Sequence, residues 1–388
     1  MFLLIFGAEK RFLGCLNTFY NSAFFVSGCL KGFFMRPLTC EIRLHYLREN
    51  YQYLKGVHGN KLLAVVKANA YGHGAVQCAR ALEDIADGFA VAFLEEAEEL
   101  RHHGIRKPIV LLEGVFQAAE LAKVDALGLW TVVHNQTQLD DVLQHHWQKP
   151  TTIWLKMDSG MHRAGFFPSH YAAAYQALAQ CPSVRNIVKM SHFACADERE
   201  PDMTEMQIET FDLATQNLGG ETSIANSAAM LAYPKTRRDW GRAGLALYGV
   251  NPFSGSLNPA LKPVMRLSSK VFAQRILPAH EPIGYGASFY TEHATRVGLV
   301  ACGYADGYPR RAASNTPVAV NGQRTRLIGR ISMDMMTLDL TSLHDNIGAE
   351  VELFGDIINI NEIADVAGTI PYEILCNIKR AQRVYVHQ

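Results

Sequence analysis

Leu62-Leu63-Ala64-Val65-Val66-Lys67-Ala68-Asn69-Ala70-Tyr71-Gly72-His73-Gly74 opens as an apolar run and ends in a glycine-rich polar turn. A short apolar run of this kind suits a strand buried on both faces, as in a parallel sheet. Lys67 closes the run, and burying an amine there is costly. Desolvation lowers a lysine's pKa, and a neutral amine is a nucleophile fit for Schiff-base chemistry. A strand-end lysine can equally snorkel into solvent, so Lys67 alone leaves both readings open.

Similar runs lie near 62–66, 89–93, 108–112, 129–133, 152–157, 187–193, 222–225 and 245–249. Helix-like segments such as Glu95-Glu96-Ala97-Glu98-Glu99-Leu100-Arg101 separate most of them. About eight βα units are expected of a (β/α)8 TIM-like barrel. A doubly wound open sheet stays possible, because strand count does not prove closure. After about residue 255 helical stretches thin out, and Lys270–Ala273, Val297–Val300 and Pro317–Val320 read as strands between Pro and Gly turns. Asn321-Gly322 predicts a tight hairpin turn, and one helix is expected near Asn361 to Ala367. The expected fold is therefore α/β followed by β. It places an N-terminal barrel over 35–255 and a mostly-β C-terminal domain over 256–388, in keeping with the length of the chain.

Lys+Arg and Asp+Glu each total 37, so the formal net charge is zero. That balance argues against nucleic acid or an anionic membrane as the main partner, and for a small-molecule substrate or a second copy of the chain. Cys15, Cys29, Cys40, Cys78, Cys181, Cys195, Cys302 and Cys376 form no CxxC pair. Neither a metal site nor a disulfide framework is indicated, and scattered thiols suit a reducing compartment. Residues 1–34 form an N-terminal extension. Lys10-Arg11 followed by an uncharged stretch from Phe12 to Leu30 resembles a signal peptide, and Val26-Ser27-Gly28-Cys29 resembles a lipoprotein cleavage box. Asn17, Thr18, Asn21, Ser22 and Ser27 make the stretch a poor membrane span. The preferred expectation is an upstream mis-start with Met35 as the true first residue, in a cytoplasmic protein. A genuine signal segment would make the protein an exported one.

In a barrel of this kind, site residues belong at the C-terminal ends of the strands. Lys67 ends the first strand, Lys156-Met157-Asp158-Ser159-Gly160-Met161-His162-Arg163 the fifth, His192 the sixth and Asn226-Ser227 the seventh. Gly241-Arg242-Ala243-Gly244 immediately precedes the expected eighth. Each has an ordinary reading. Arg163 can be a surface arginine, His192 a hydrogen-bonded core histidine, and Ser227 a cap for the helix at Ala228-Ala229-Met230. A serine at a helix N-terminus also suits a phosphate. Their gathering at one rim makes a site.

The stretch Ala64 to Gly74 resembles the cofactor-lysine motif of the alanine racemases, pyridoxal 5′-phosphate (PLP) enzymes of the barrel-containing fold type. Gly284-Tyr285-Gly286-Ala287-Ser288-Phe289-Tyr290 resembles the family segment carrying a second catalytic base. Cys302-Gly303-Tyr304-Ala305-Asp306-Gly307-Tyr308 resembles its substrate-gating segment, and Gly329-Arg330-Ile331-Ser332-Met333-Asp334 the one that meets the substrate carboxylate. The resemblance covers about residues 35 to 388. It implies an isomerase that interconverts L-alanine and D-alanine through a PLP external aldimine and two-base proton transfer, supplying D-alanine for peptidoglycan, with alanine catabolism as the alternative role.

The same resemblance implies a role for each position. Lys67 holds the cofactor covalently, and Tyr71, Ser227, Gly244 and Leu245 hold its phosphate. Arg163 meets its phenolic oxygen, His192 lies against its ring, and Arg242 faces the pyridine nitrogen. Lys67 acts on the D-enantiomer's proton and Tyr285 on the L-enantiomer's. Arg163, Tyr304 and Met333 contact substrate, leaving room for a methyl side chain, although wider relatives take serine, lysine or arginine. Lys156 matches a lysine that many racemases carbamylate, the alternative being an unmodified amine beside Asp158. In the family Tyr285, Tyr304 and Met333 come from the partner of a head-to-tail homodimer with shared active sites.

Two rival readings share part of this pattern. A barrel-type PLP decarboxylase needs a strong electron sink, whereas an arginine at the ring nitrogen cannot give up its proton and weakens the sink. A non-catalytic PLP carrier resembles the barrel alone. The match is weakest at Cys376 to Tyr385, where one residue is missing from the usual ending, and Arg380 receives no role.

Overall fold

Thr39–Arg43 forms strand β1, followed by the helix Leu44–His58. Eight parallel strands come next: β2 (Lys61–Val65), β3 (Gly88–Val91), β4 (Ile109–Leu111), β5 (Trp130–Val133), β6 (Thr151–Lys156), β7 (Val184–Met190), β8 (Thr222–Ser223) and β9 (Trp240–Ala243). The computed structural model describes residues 36–198, 201–253, 258–312, 314–344 and 346–388. The expected extension over residues 1–34 lies outside them.

The barrel strands hydrogen-bond in the order β8-β7-β6-β5-β4-β3-β2-β9. Among the described residues β8 and β9 share no ladder, but Arg242 N–H donates to Ala225 O across the seam at 3.0 Å. Thr222 N–H adds a bond to Asp239 Oδ2 at 2.8 Å, so the barrel is nearly closed. Every residue of β3, β4 and β6 is buried. Strands buried on both faces need no solvent-facing polar alternation, which is why β3 and β4 read as continuous apolar runs. Trp130, Trp154 and Trp240 pack ring against ring.

The stretch 245–249 is not the eighth strand that its apolar character suggested. Gly241-Arg242-Ala243 lies within β9 itself, and Leu245–Tyr248 forms a 3-10 turn ended by Gly249 at φ 80°. All four residues of that turn are buried. A short run buried on every side has no periodicity to separate strand from helix.

The later half is built from β10 (Met265–Leu277), β11 (Pro282–Ile283), β12 (Phe289–Tyr290), β13 (Thr295–Val300), β14 (Pro317–Val320), β15 (Gln323–Arg326), β16 (Met336–Asp339), β17 (Glu350–Phe354) and β18 (Gln382–Val386). One sheet runs β15-β14-β17-β10-β1-β18, with β13 pairing both β10 and β16. Asn321 and Gly322, at φ 44° and 86°, close the β14–β15 hairpin. Positive φ at both central residues is the turn that matches the strand twist. β1 pairs antiparallel with β10 and parallel with β18, so the first strand sits in the later sheet.

The expected helix is present at Ile360–Ala367, with Asn359 Oδ1 accepting from Asn361 N–H and Gly368 left-handed at its end. A further helix, Pro371–Asn377, packs onto the turn after β2: a Cβ on Gly72 would lie 2.3 Å from Leu375 O. No described helix is long and apolar enough to cross a membrane.

Candidate functional site

Lys67 follows β2 directly, and Ala68, Asn69, Ala70 and Tyr71 then wind left-handed at φ 51°, 53°, 54° and 53°. This hand costs L-residues roughly 1–2 kcal/mol each, so the turn needs external support. Ala70 N–H donates to Val66 O at 2.8 Å, and Glu96 Oε1 accepts from Ala68 N–H at 2.6 Å. Asn69 Oδ1 accepts from Ala75 N–H at 2.8 Å. The result buries Tyr71, whose ring lies 4.9 Å from that of Tyr248.

A cavity of about 420 Å³ opens at the C-terminal rim of the barrel. Its walls include Lys67, Tyr71, Lys156, Arg163, His192, Ser227, Arg242, Gly244 and Leu245, so all the barrel positions singled out from the sequence meet there. Tyr285, Tyr304 and Met333 do not line it. They lie on the surface, 67%, 37% and 52% exposed.

Lys67 is half-buried, short of the burial expected for a strand-end amine. Lys156, at the end of β6, is the desolvated lysine of the site, with 6% exposure. Burial pushes its amine down to about 8, opposed by Glu113 and reinforced by the charges of Arg163, Arg242 and Lys67. Asp158 is engaged elsewhere, accepting from Gly160 and His162 N–H at 3.0 and 2.9 Å. Arg163 is exposed and hydrogen-bonds to no described residue.

Arg242 is buried, and its partners are neutral. Nη1 donates to Ser223 O at 2.8 Å and Ser223 Oγ at 2.7 Å, while Nη2 donates to Ser191 O at 2.7 Å and meets His192 Nδ1 at 3.3 Å. Burial lowers the guanidinium to about 10, which still leaves it charged at neutral pH. His192 is held well below the ordinary histidine value by burial and by the cations Arg242, Arg163 and Lys156 around it.

The helix Ser227–Ala232 is capped by Asn226, whose Oδ1 accepts from Ala229 N–H at 2.9 Å. Ser227 is therefore not the cap. Its Oγ accepts from Gly244 N–H at 2.9 Å and Ala246 N–H at 3.3 Å. A Cβ on Gly244 would stand 2.9 Å from Tyr71 Oη and 3.9 Å from Ser227 Oγ. The missing side chain leaves a recess walled by two hydroxyls and backbone amides, which suits a phosphate. Burial raises the Tyr71 phenol, so it stays protonated and able to donate.

Leu112, Glu113, Ile370, Tyr372 and Cys376 also line the cavity and were missed. Tyr372 lies 5.7 Å from the Tyr71 ring. Pro371 at the first turn of its helix was the available sign that Tyr372 begins an element. Arg380 stands off the cavity, bonded to Asp334 at 3.1 Å.

Two family models match the chain: the alanine racemase N-terminal domain over residues 42–252 and the alanine racemase C-terminal domain over 264–385. An alanine racemase of Neisseria meningitidis serogroup C is 64% identical over 352 residues, spanning 91% of this chain and 100% of that relative. The crystal structure of a biosynthetic alanine racemase from Pseudomonas aeruginosa superposes with TM-score 0.88 at 44% identity, over 91% of this chain and 100% of that one. An alanine racemase from Bartonella henselae with covalently bound pyridoxal phosphate superposes with TM-score 0.82 at 28% identity, over 90% of this chain and 99% of that one.

Proposed function

The chain belongs to the alanine racemase family, and on that footing we propose that it interconverts L- and D-alanine with PLP seated beside Lys67. The observation that carries this reading is the recess at Gly244, which a Cβ would fill and which Tyr71 and Ser227 wall. Tyr71, Ser227, Gly244 and Leu245 hold the phosphate, with Lys67 as the covalent anchor. Arg163 serves the phenolic oxygen and His192 the face of the ring. Likeness to the Bartonella structure with bound pyridoxal phosphate supports the cofactor.

Bound there, PLP withdraws electrons from the substrate's α-carbon and acidifies its proton. The protein's own groups then move that proton. Lys67 serves the D-enantiomer's face and Tyr285 the L-enantiomer's, since two bases on opposite faces avoid carrying one base across the plane. A phenol has an ordinary pKa of about 10 and is a weak base at neutral pH. His192 helps: its Nδ1 faces an arginine donor, which leaves Nε2–H to stabilise a phenolate. Both Nη groups of Arg242 are engaged, so Nε is the donor left for the pyridine nitrogen. A permanent donor there disfavours the strong electron sink that decarboxylation needs, and so favours racemisation.

Tyr285, Tyr304 and Met333 act in the cavity of a second chain, in a head-to-tail homodimer. Their exposure and their absence from this chain's own cavity wall support that assignment. Tyr304 and Met333 limit the substrate to a small side chain. Lys156 is a carbamylation site: an amine lowered to about 8 keeps a reactive neutral fraction, and the carbamate would give Arg163 an anionic partner. Uptake of labelled bicarbonate, absent in Lys156→Met, is the expected signature. The D-alanine formed supplies peptidoglycan synthesis in the cytoplasm. Likeness to the Pseudomonas aeruginosa biosynthetic racemase supports the former, and the free thiols of Cys40, Cys78, Cys181, Cys302 and Cys376 suit the latter.

The test is the optical rotation of L-alanine incubated with PLP-loaded protein, alongside Lys67→Ala. Decay to zero with alanine conserved, and none in the variant, is expected. Unchanged rotation rejects alanine as substrate and points to serine, lysine or arginine.

A further inference from the structure

Two arginines from opposite ends of the described chain converge on one buried carboxylate. Asp306 is 1% exposed. Arg36 grips it through both Nη groups, Nη1 donating to Oδ1 at 2.6 Å. Arg380 Nε lies 3.6 Å from the same Oδ1. Gly303 N–H donates to Oδ2 at 2.9 Å, and Lys379 N–H donates to the Asp306 backbone oxygen at 2.7 Å.

Asp306 ends the 3-10 turn that begins at Tyr304, and Asp334 directly follows Met333. Arg380 reaches both, because its Nη2 donates to Asp334 Oδ1 at 3.1 Å. The two segments also touch along their backbones. Tyr304 N–H donates to Ser332 O at 3.1 Å and Ala305 N–H to Met333 O at 3.0 Å. A Cβ on Gly303 would stand 2.3 Å from Met333 O, so neither segment can shift without the other.

The side chains of Tyr304 and Met333 project to the surface, so their direction depends on these backbone turns. Arg380 itself is held left-handed at φ 46°, a strained setting for a non-glycine residue that persists only where its surroundings impose it. A carboxylate gripped by a guanidinium fork is a strong and directional pairing. Losing one partner leaves a buried charge uncompensated.

We propose that Arg36 and Arg380 clamp Asp306 to hold Tyr304 and Met333 in register, and that these positioning residues thereby set alanine affinity. This rests on the reading of Tyr304 and Met333 as substrate-contacting residues. Neither arginine touches the reacting atoms; both act through the turn they hold.

The experiment compares steady-state kinetics of the PLP-loaded protein with Arg36→Ala, Arg36→Lys, Arg380→Ala, Tyr304→Ala and Arg266→Ala. Arg266 pairs with Glu350 and Glu352 in the same sheet and serves as a purely structural comparator. The two clamp alanine variants are expected to raise KM for alanine about tenfold, the scale of a misplaced substrate contact, with kcat and the bound-cofactor absorbance little changed. Arg36→Lys should recover part of the loss, since a lysine restores the charge but not the fork. A lowered unfolding midpoint with KM unchanged in both clamp variants overturns the proposal, as does an equal rise in KM from Arg266→Ala. Tyr304→Ala separates the two ideas. Raised KM there with silent clamp variants rejects the clamp alone, whereas unchanged KM there rejects the substrate role of Tyr304 beneath it.

Discussion

His192 Nδ1 stands 3.3 Å from Arg242 Nη2. A guanidinium has no lone pair to offer, so the imidazole nitrogen accepts and the ring proton must sit on Nε2. Burial, reinforced by the charges of the same guanidinium, Arg163 and Lys156, keeps the ring neutral. One contact thus sets the tautomer of His192 and adds to what keeps it neutral.

Arg242→Ala should undo both effects. Ser191 O and Ser223 Oγ lose their donor in a buried place, while Ser223 O keeps the Ser191 N–H. At about 1–3 kcal/mol per stranded group, a loss of roughly 2–6 kcal/mol of stability is expected. Urea unfolding measures this. Nitrogen NMR of His192 should show its pKa rising towards the ordinary value once the cation is gone. A His192 titration unchanged by the substitution contradicts the coupling.

Acid should weaken the fold through two other histidines. Burial pushes both His58 and His73 down to about 4, from 6.5. The unfolded chain takes up these protons as pH falls below 6.5, and the folded chain does not until about 4. Stability is therefore complete above 6.5 and falls through that window by about 1.4 kcal/mol per pH unit for each ring. Urea midpoints measured across the window should slope accordingly; a flat profile would contradict the burial of both rings.

Two glycines should respond in opposite directions. Gly244→Ala puts a methyl against Tyr71 Oη, and overpacking of about 1–3 kcal/mol predicts PLP affinity lower by tenfold or more. Gly56→Ala meets nothing within 4 Å inside the helix Leu44–His58, and should stabilise the protein by about 0.5–1 kcal/mol. Cofactor titration by absorbance and thermal unfolding distinguish the two.

Subunit mixing tests the shared site. Lys67→Ala and Tyr285→Phe are each expected to be nearly inactive as pure dimers. Dissociated and reassociated together, half the dimers pair the two variants, and each mixed dimer holds one intact site. About a quarter of the parent activity should return. No recovery would place Lys67 and Tyr285 in the service of the same chain. Tyr285→Phe should also slow solvent-proton exchange from L-alanine more than from D-alanine.

Tyr71 and Arg242 gained their roles from the family resemblance, whereas Lys67 and His192 were legible because a polar residue closing an apolar run stands out against the periodicity around it. The seven barrel strands from β2 to β8 could be located for the same reason. The eighth was misplaced, since Trp240–Ala243 is short and carries Arg242 in its middle, while Leu245–Tyr248 is more apolar yet winds as a 3-10 turn. Asn226 and Ser227 are both good caps, and only geometry tells that Asn226 is the one that caps the helix. Tyr372 was hidden because its proximity to Tyr71 depends on how a distant helix docks. No local pattern near Thr39–Arg43 reveals that its partners are residues 265–268 and 382–386.

That pairing orders events on the ribosome. β1 is among the first structured segments to emerge, yet one of its two neighbours, β18, lies at the far end of the chain. Until β18 is released, the nascent strand keeps an unpaired edge, which is a template for aggregation. Contacts of such sequence separation also form slowly. A chain truncated after β17 would leave that edge of β1 exposed, so β18 acts as a seal on β1, and its synthesis becomes a condition for a protected fold.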